Sequence, residues 1–282
     1  MNVKTADRRG YRLSVDDVIW AFQDIAQHPE YTSIFDNPFF ALYKRVHDAY
    51  GTKVHMNIYY ETVEKDFNLS MFPDKYKDEW KANAHWLRLS FHGLADKPNW
   101  PYREAGYDKV KHDCDLVMEQ ILRFAGPEVT GPVTTLHFGD ATPEGVQALY
   151  DCGIRVIQSE FMTSTGEPLP KYGLSDEELK KVRYGTFWKD PKSGMIYYGC
   201  DAILNKRNIE DLGPWMEEFQ EKYPNRPFVD ILIHEQYFYS HYKRHLADYE
   251  ERVLTGVKWC HEHGYAPCFV TEMLGMEDEK PW

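Results

Sequence analysis

Short apolar runs alternate with helix-period stretches along almost the whole chain, and few architectures accommodate that pattern. Strand-like runs fall at residues 11–18, 53–61, 86–93, 133–139, 154–161, 195–204, 229–235 and 266–272. Between them, residues 39–50, 107–124, 143–152, 208–223 and 241–263 repeat apolar side chains near the helical period of 3.6. The third of these helices opens with Thr142 at its N-cap, Pro143 at its first position and Glu144 in its first turn. Strands that alternate with helices imply an α/β architecture with a mainly parallel sheet. The 282 residues suit one large α/β domain or two small ones, and an α/β barrel of roughly 250 residues fits within them. No repeat or linker divides the chain, so residues 1–282 are expected to form a single domain. Two segments interrupt the alternation, residues 62–83 and 162–194. The second is polar, and its Trp188-Lys189-Asp190-Pro191-Lys192-Ser193-Gly194-Met195 reads as a β-hairpin turn.

Composition narrows the function classes. The net charge of −12 disfavours nucleic acid, whose phosphates are bound by clustered Lys and Arg. The one short basic cluster, Lys180-Lys181-Val182-Arg183, follows Asp176-Glu177-Glu178 and reads as a solvated helix face. No run approaches the roughly 20 apolar residues of a membrane span. The polar N-terminus lacks the apolar core of a secretory signal, which makes the cytoplasm the expected location. Five separated cysteines, an odd count with no Cys-x-x-Cys pair, argue against a disulfide framework or a zinc-thiolate site and read as reduced, mostly buried thiols. Aromatics reach 15%, which suits either sugar rings or aromatic-heavy packing. Trp100, Tyr102, Trp188 and Tyr237 are open between those two roles.

The ends of the strand-like runs carry the chemistry. Asp16 and Asp17 follow Leu13-Ser14-Val15. Neighbouring strand residues face opposite ways, but at a strand end the backbone turns and both acids can reach one pocket. One would bind a cation while the other accepts a proton; the alternative is an N-cap for a helix starting at Val18. His92 ends a second run, with Asp96 four residues on. An imidazole nitrogen and a carboxylate oxygen together suit zinc, and also cobalt, manganese or iron; the alternative is a hydrogen-bonded strand-end His and a turn-forming Asp. His234 ends Val229-Asp230-Ile231-Leu232-Ile233, a place for acid-base work or for a satisfied core histidine. His137 is open between ligand, substrate contact and packing. His55 reads as core, and His85, His241 and His245 as solvated.

Taken in order, these residues resemble the polysaccharide deacetylase, or NodB-homology, family. The resemblance implies a distorted (β/α) barrel of seven or eight mainly parallel strands, here with the β-hairpin insertion. Leu13-Ser14-Val15-Asp16-Asp17 is similar to the family's first motif, which implies Asp16 as catalytic base and Asp17 as metal ligand. His92-Gly93-Leu94-Ala95-Asp96 stands where His-[Ser/Thr]-x-x-His is found, with Asp96 in place of the second His. That implies His92 and Asp96 as further ligands, with His137 the substitute for Asp96. Leu232-Ile233-His234 is similar to the last motif and makes His234 the general acid. The family's Arg-Pro-Pro-Tyr-type motif is absent, and Leu136-His137-Phe138-Gly139 occupies its place. The implied protein is a zinc-type metallohydrolase that cleaves an amide (N-acetyl) or ester bond on a carbohydrate or related small molecule.

Three other readings compete. One is a metal-independent amidohydrolase on a small cyclic amide or ureide. Another is a glycoside hydrolase using Glu160 and Glu235. The third is a non-catalytic carbohydrate-binding barrel.

Overall fold

A computed structural model of the chain describes residues 2–163, 165–182 and 187–277. Arg183 of the basic cluster and part of the 162–194 segment lie outside the described residues. The strands are β1 (Gly10–Val18), β2 (Val54–Tyr59), β3 (Leu87–Gly93), β4 (Val133–Thr135), β5 (Val156–Ser159), β6 (Trp188–Lys189), β7 (Ile196–Gly199), β8 (Ala202–Ile203), β9 (Phe228–His234) and β10 (Ala266–Pro267). The helices are α1 (Trp20–Gln27), α2 (Pro38–Tyr50), α3 (Lys77–Asn83), α4 (Tyr107–Phe124), α5 (Pro143–Asp151), α6 (Asp176–Leu179), α7 (Ile209–Lys222), α8 (Tyr249–Glu262) and α9 (Val270–Leu274). No described helix is long and apolar enough to cross a membrane.

Two sheets form the centre. One runs β3-β2-β1-β9-β8, with β10 added beside β1; the other runs β4-β5-β7-β6. Among the described strands the pairings are parallel except β6 with β7, where Trp188 faces Tyr197 as the expected hairpin. The sheets curve toward each other at two seams. At one, side chains replace a strand ladder: Ser90 Oγ donates to the Val133 carbonyl at 2.7 Å, and the Thr134 hydroxyl donates to the Phe91 carbonyl. At the other, the chain itself changes sheets, since Cys200 N–H donates to Ser159 and Asp201 N–H to Asp230. The result is an α/β fold that resembles a distorted barrel.

Helices cover the outside because their apolar faces demand it. α4 buries Val110, Cys114, Val117, Ile121 and Phe124 along one stripe. α5 begins as its sequence implies, with Thr142 Oγ1 accepting from Gly145 N–H. All five cysteines are free and buried.

Four elements differ from the expected ones. The run at 195–204 divides into β7 and β8 at the sheet change. The run at 133–139 ends at Thr135, because the chain turns over at Phe138, whose φ is 61°. The run at 266–272 pairs only through Ala266 and Pro267 before α9 begins. The last long helix starts at Tyr249, where its buried stripe of Tyr249, Val253, Val257 and Cys260 begins. His241 and His245 are therefore exposed, as expected, but lie outside any helix.

Candidate metal centre

β1 carries its polar side chains on alternate positions, Arg12, Ser14 and Asp16, which face inward and are buried. Asp17 would point outward on an undistorted strand. It does not, because the β1–β2 register slips between Val15 and Val18, and Asp17 adopts a φ of 65°. That bulge turns both acids into one cavity, and neither caps a helix from Val18.

Two histidines meet Asp17 there. His92 Nε2 lies 3.0 Å from Asp17 Oδ1, and His137 Nδ1 lies 3.5 Å from the same oxygen. The far nitrogen of each ring is bound to a backbone carbonyl: His92 Nδ1 to Thr135 at 2.5 Å, His137 Nε2 to Asp96 at 3.0 Å. A carbonyl only accepts, so those nitrogens carry the hydrogens, and the near nitrogens present lone pairs to the carboxylate. The Tyr59 hydroxyl sits among them, 2.5 Å from Asp17 Oδ1 and 2.7 Å from His137 Nδ1. Its single hydrogen cannot satisfy all these acceptors. The arrangement calls for added protons or a cation, and a buried Asp-His-His set with carbonyl-oriented rings fits a divalent ion.

With protons in place of an ion, the near nitrogens donate to the carboxylate instead. Burial alone would raise the Asp17 carboxyl, but hydrogen bonds with His137 and His92 and the charge of His234 hold it well below its usual range. Burial alone would lower His92; its bond to Asp17 and the charges of Asp16 and Asp17 pull it up.

Asp16 stands beside this group and is held separately. Its Oδ1 accepts from Asn57 Nδ2 at 2.6 Å and from Ser14 Oγ at 3.2 Å. His234 is its register neighbour on β9. The His234 Nδ1–H donates to Asn205 Oδ1 at 2.9 Å, which leaves Nε2 as the free end of the ring, a lone pair when the ring is neutral and a donor only as imidazolium. Asp16, Asp17, His92, His137 and His234 all line one cavity of about 490 Å³.

The structure places the remaining expected residues as follows. Asp96 also lines the cavity, but its carboxylate is 37% exposed and 3.8 Å from His137 Nε2; its carbonyl orients that ring. The atom that joins Asp17 and His92 is thus a nitrogen of His137, which lies 45 residues beyond His92 and follows no family spacing. Trp100 and Tyr237 line the cavity, whereas Tyr102 and Trp188 are core. His55 is buried, as expected. Tyr59 carried no sequence signal; only its inward position two residues beyond Asn57 distinguishes it. Glu160 pairs with Lys206 at the rim. Glu235 is fully buried, and its oxygens accept the N–H groups of Ile19, Trp20 and Ala21 at 2.7, 2.9 and 2.7 Å. It cannot reach a sugar, which removes the Glu160/Glu235 glycosidase arrangement.

No protein-family profile matches the sequence, and no curated protein matches it either. Solved structures do match in shape. A family 4 acetyl xylan esterase from Clostridium thermocellum, in complex with a cobalt ion, aligns at TM-score 0.54 and 10% identity over 97% of this chain and 95% of its own. A CE4 family pseudoenzyme from Bacillus anthracis aligns at 0.51 and 10% identity, over 97% and 68%. A 4-alpha-glucanotransferase from Thermococcus litoralis aligns at 0.57 and 14% identity over 95% of this chain, which spans about 40% of that protein's length. What the chain shares with these structures is the fold, an α/β arrangement that resembles a distorted barrel.

Proposed function

We propose that the protein is a metal-dependent hydrolase of the polysaccharide deacetylase type, cleaving an amide (N-acetyl) or ester bond on a carbohydrate or related small molecule. One observation carries the reading: two buried imidazoles, each anchored through its far nitrogen, turn lone pairs onto Asp17 inside a cavity. Asp17, His92 and His137 would hold the ion, with zinc favoured and cobalt, manganese or iron compatible with the donors. An ion bound there would supply Lewis-acid polarisation of the scissile carbonyl and a more acidic water. Asp16, held by Asn57 and Ser14, takes the water's proton. His234, its Nδ1 fixed by Asn205, delivers a proton from Nε2 to the leaving nitrogen or oxygen as the imidazolium and returns to the neutral ring. The Asp96 carboxylate remains outside the ligand set, and its carbonyl orients His137.

Elemental analysis of protein purified without chelator or His tag tests this. Wild type should hold near one equivalent of metal. Asp17→Ala, His92→Ala and His137→Ala should lose it, and Asp96→Ala should keep it. Full metal content in the first three variants, or none in wild type after soaking with each ion, would overturn the reading.

A further inference from the structure

The cavity contains a buried cation that the proposed chemistry leaves idle. Lys171 belongs to the segment after β5 and is only 8% exposed, yet it lines the cavity. Its Nζ donates to Ser159 Oγ at 3.0 Å and reaches the Phe138 carbonyl at 3.5 Å, both neutral acceptors. The nearby acids are engaged elsewhere. Asp140 binds Arg103 Nε at 3.1 Å and Tyr172 N–H at 2.8 Å; Glu160 binds Lys206 at 3.0 and 2.9 Å. Gly139, at a φ of 60°, leaves space for the amine: a Cβ there would overlap Ser159 Oγ and come within 3.2 Å of Nζ.

A buried ammonium with no carboxylate on it is costly, and such a charge is retained where something binds it. One ammonium beside one hydroxyl matches a monovalent carboxylate. A phosphate dianion would call for several cations or N–H groups, and Arg103 and Lys206 are already neutralised. We propose that Lys171 recognises a carboxylate on the substrate, so that the cavity takes an acidic sugar, of the uronic acid type, in preference to a neutral one. The inference rests on this cavity being the substrate site. Burial lowers the amine to about 8, which still leaves it charged at neutral pH.

Calorimetric titration with D-glucuronate and D-glucose tests the proposal, with metal content measured in every sample. Wild type should prefer glucuronate by about 30-fold or more, in line with the cost of unpairing a buried charge. Lys171→Met and Lys171→Gln should lose the preference and keep their metal. A preference that survives in both variants places the carboxylate elsewhere, including on the ion, and overturns the proposal. Equal binding of the two sugars by wild type, or binding of neither, overturns it as well. Wild type without metal would defeat the hydrolase reading while leaving the sugar preference legible.

Discussion

Asp17 shows how one backbone angle decides a site. Without its left-handed φ and the slip in register beside it, the second acid of the pair would face the helical layer. Backbone strain of this kind, about 1–3 kcal/mol at a non-glycine residue, persists where surrounding contacts hold it. Lys171 is the other residue under stress. Its pKa falls from 10.5 to about 8, with burial the leading cause. The folded chain therefore binds fewer protons than the unfolded chain between those values. The penalty is full below about pH 8 and vanishes above 10.5. Its size is roughly 3 kcal/mol. Lys171→Met should raise stability in urea unfolding at pH 7 by up to about 3 kcal/mol. Its advantage over wild type should shrink as pH rises toward 10.5. A variant less stable than wild type at pH 7, or a gap indifferent to pH, would contradict this.

Among elements, the junction of β1, α1 and β9 positions the acids. α1 has no side-chain cap of its own from its N-cap residue, Ile19. Its first N–H groups are instead satisfied from β9's end by Glu235, whose carboxyl is raised to about 7, by burial first and with the three N–H bonds opposing. This clamp ties the segment just after the Asp17 bulge to the strand end that carries His234. Glu235→Ala should cost about 3 kcal/mol in denaturant unfolding, because it strands three buried donors. It should also weaken metal binding in the same preparation, since the bulge loses its anchor. Unchanged stability would mean that water or another group replaces the carboxylate. The clamp left no trace in sequence: Glu235 and Ile19 are separated by 216 residues, and a Glu after a strand reads equally well as a catalytic acid.

Across the whole molecule, the barrel interior is a polar network. Arg12, fully buried, donates to Ser14 Oγ at 2.8 Å and to the Tyr198 hydroxyl, and lies 3.4 Å from Asp230. Tyr198 and Gln158 donate to Asp230 at 3.1 and 3.2 Å, and Thr135 donates to Gln158 at 3.0 Å. Through Ser14 this network reaches Asp16, so the site's floor and the fold's centre are continuous. Removing one partner should therefore be expensive. Arg12→Met should destabilise by about 3–5 kcal/mol, since it leaves Asp230 uncompensated, and Arg12→Met with Asp230→Leu should recover much of the loss. Thermal and urea unfolding of the three variants measure this. A double variant no better than the single one would mean that the ion pair is not the unit of stability.

The sequence by itself determined the α/β class, the hairpin, the boundaries of α4 and the cap of α5, because periodicity and capping are local properties. It also marked Asp16, Asp17, His92 and His234 as strand-end residues, and the structure gathers all four around one cavity. Tertiary structure alone decided which atom joins Asp17 and His92. His137 reaches them because β4 stops and turns over at Phe138, bringing a ring from another strand to the same point. Asp96 has the right spacing, yet the chain presents its carbonyl to His137. The Tyr59 hydroxyl, the Glu235 clamp and the unpaired charge of Lys171 arise the same way. Each depends on contacts between residues distant in sequence, and such contacts are fixed only when the strands and loops close around a common interior.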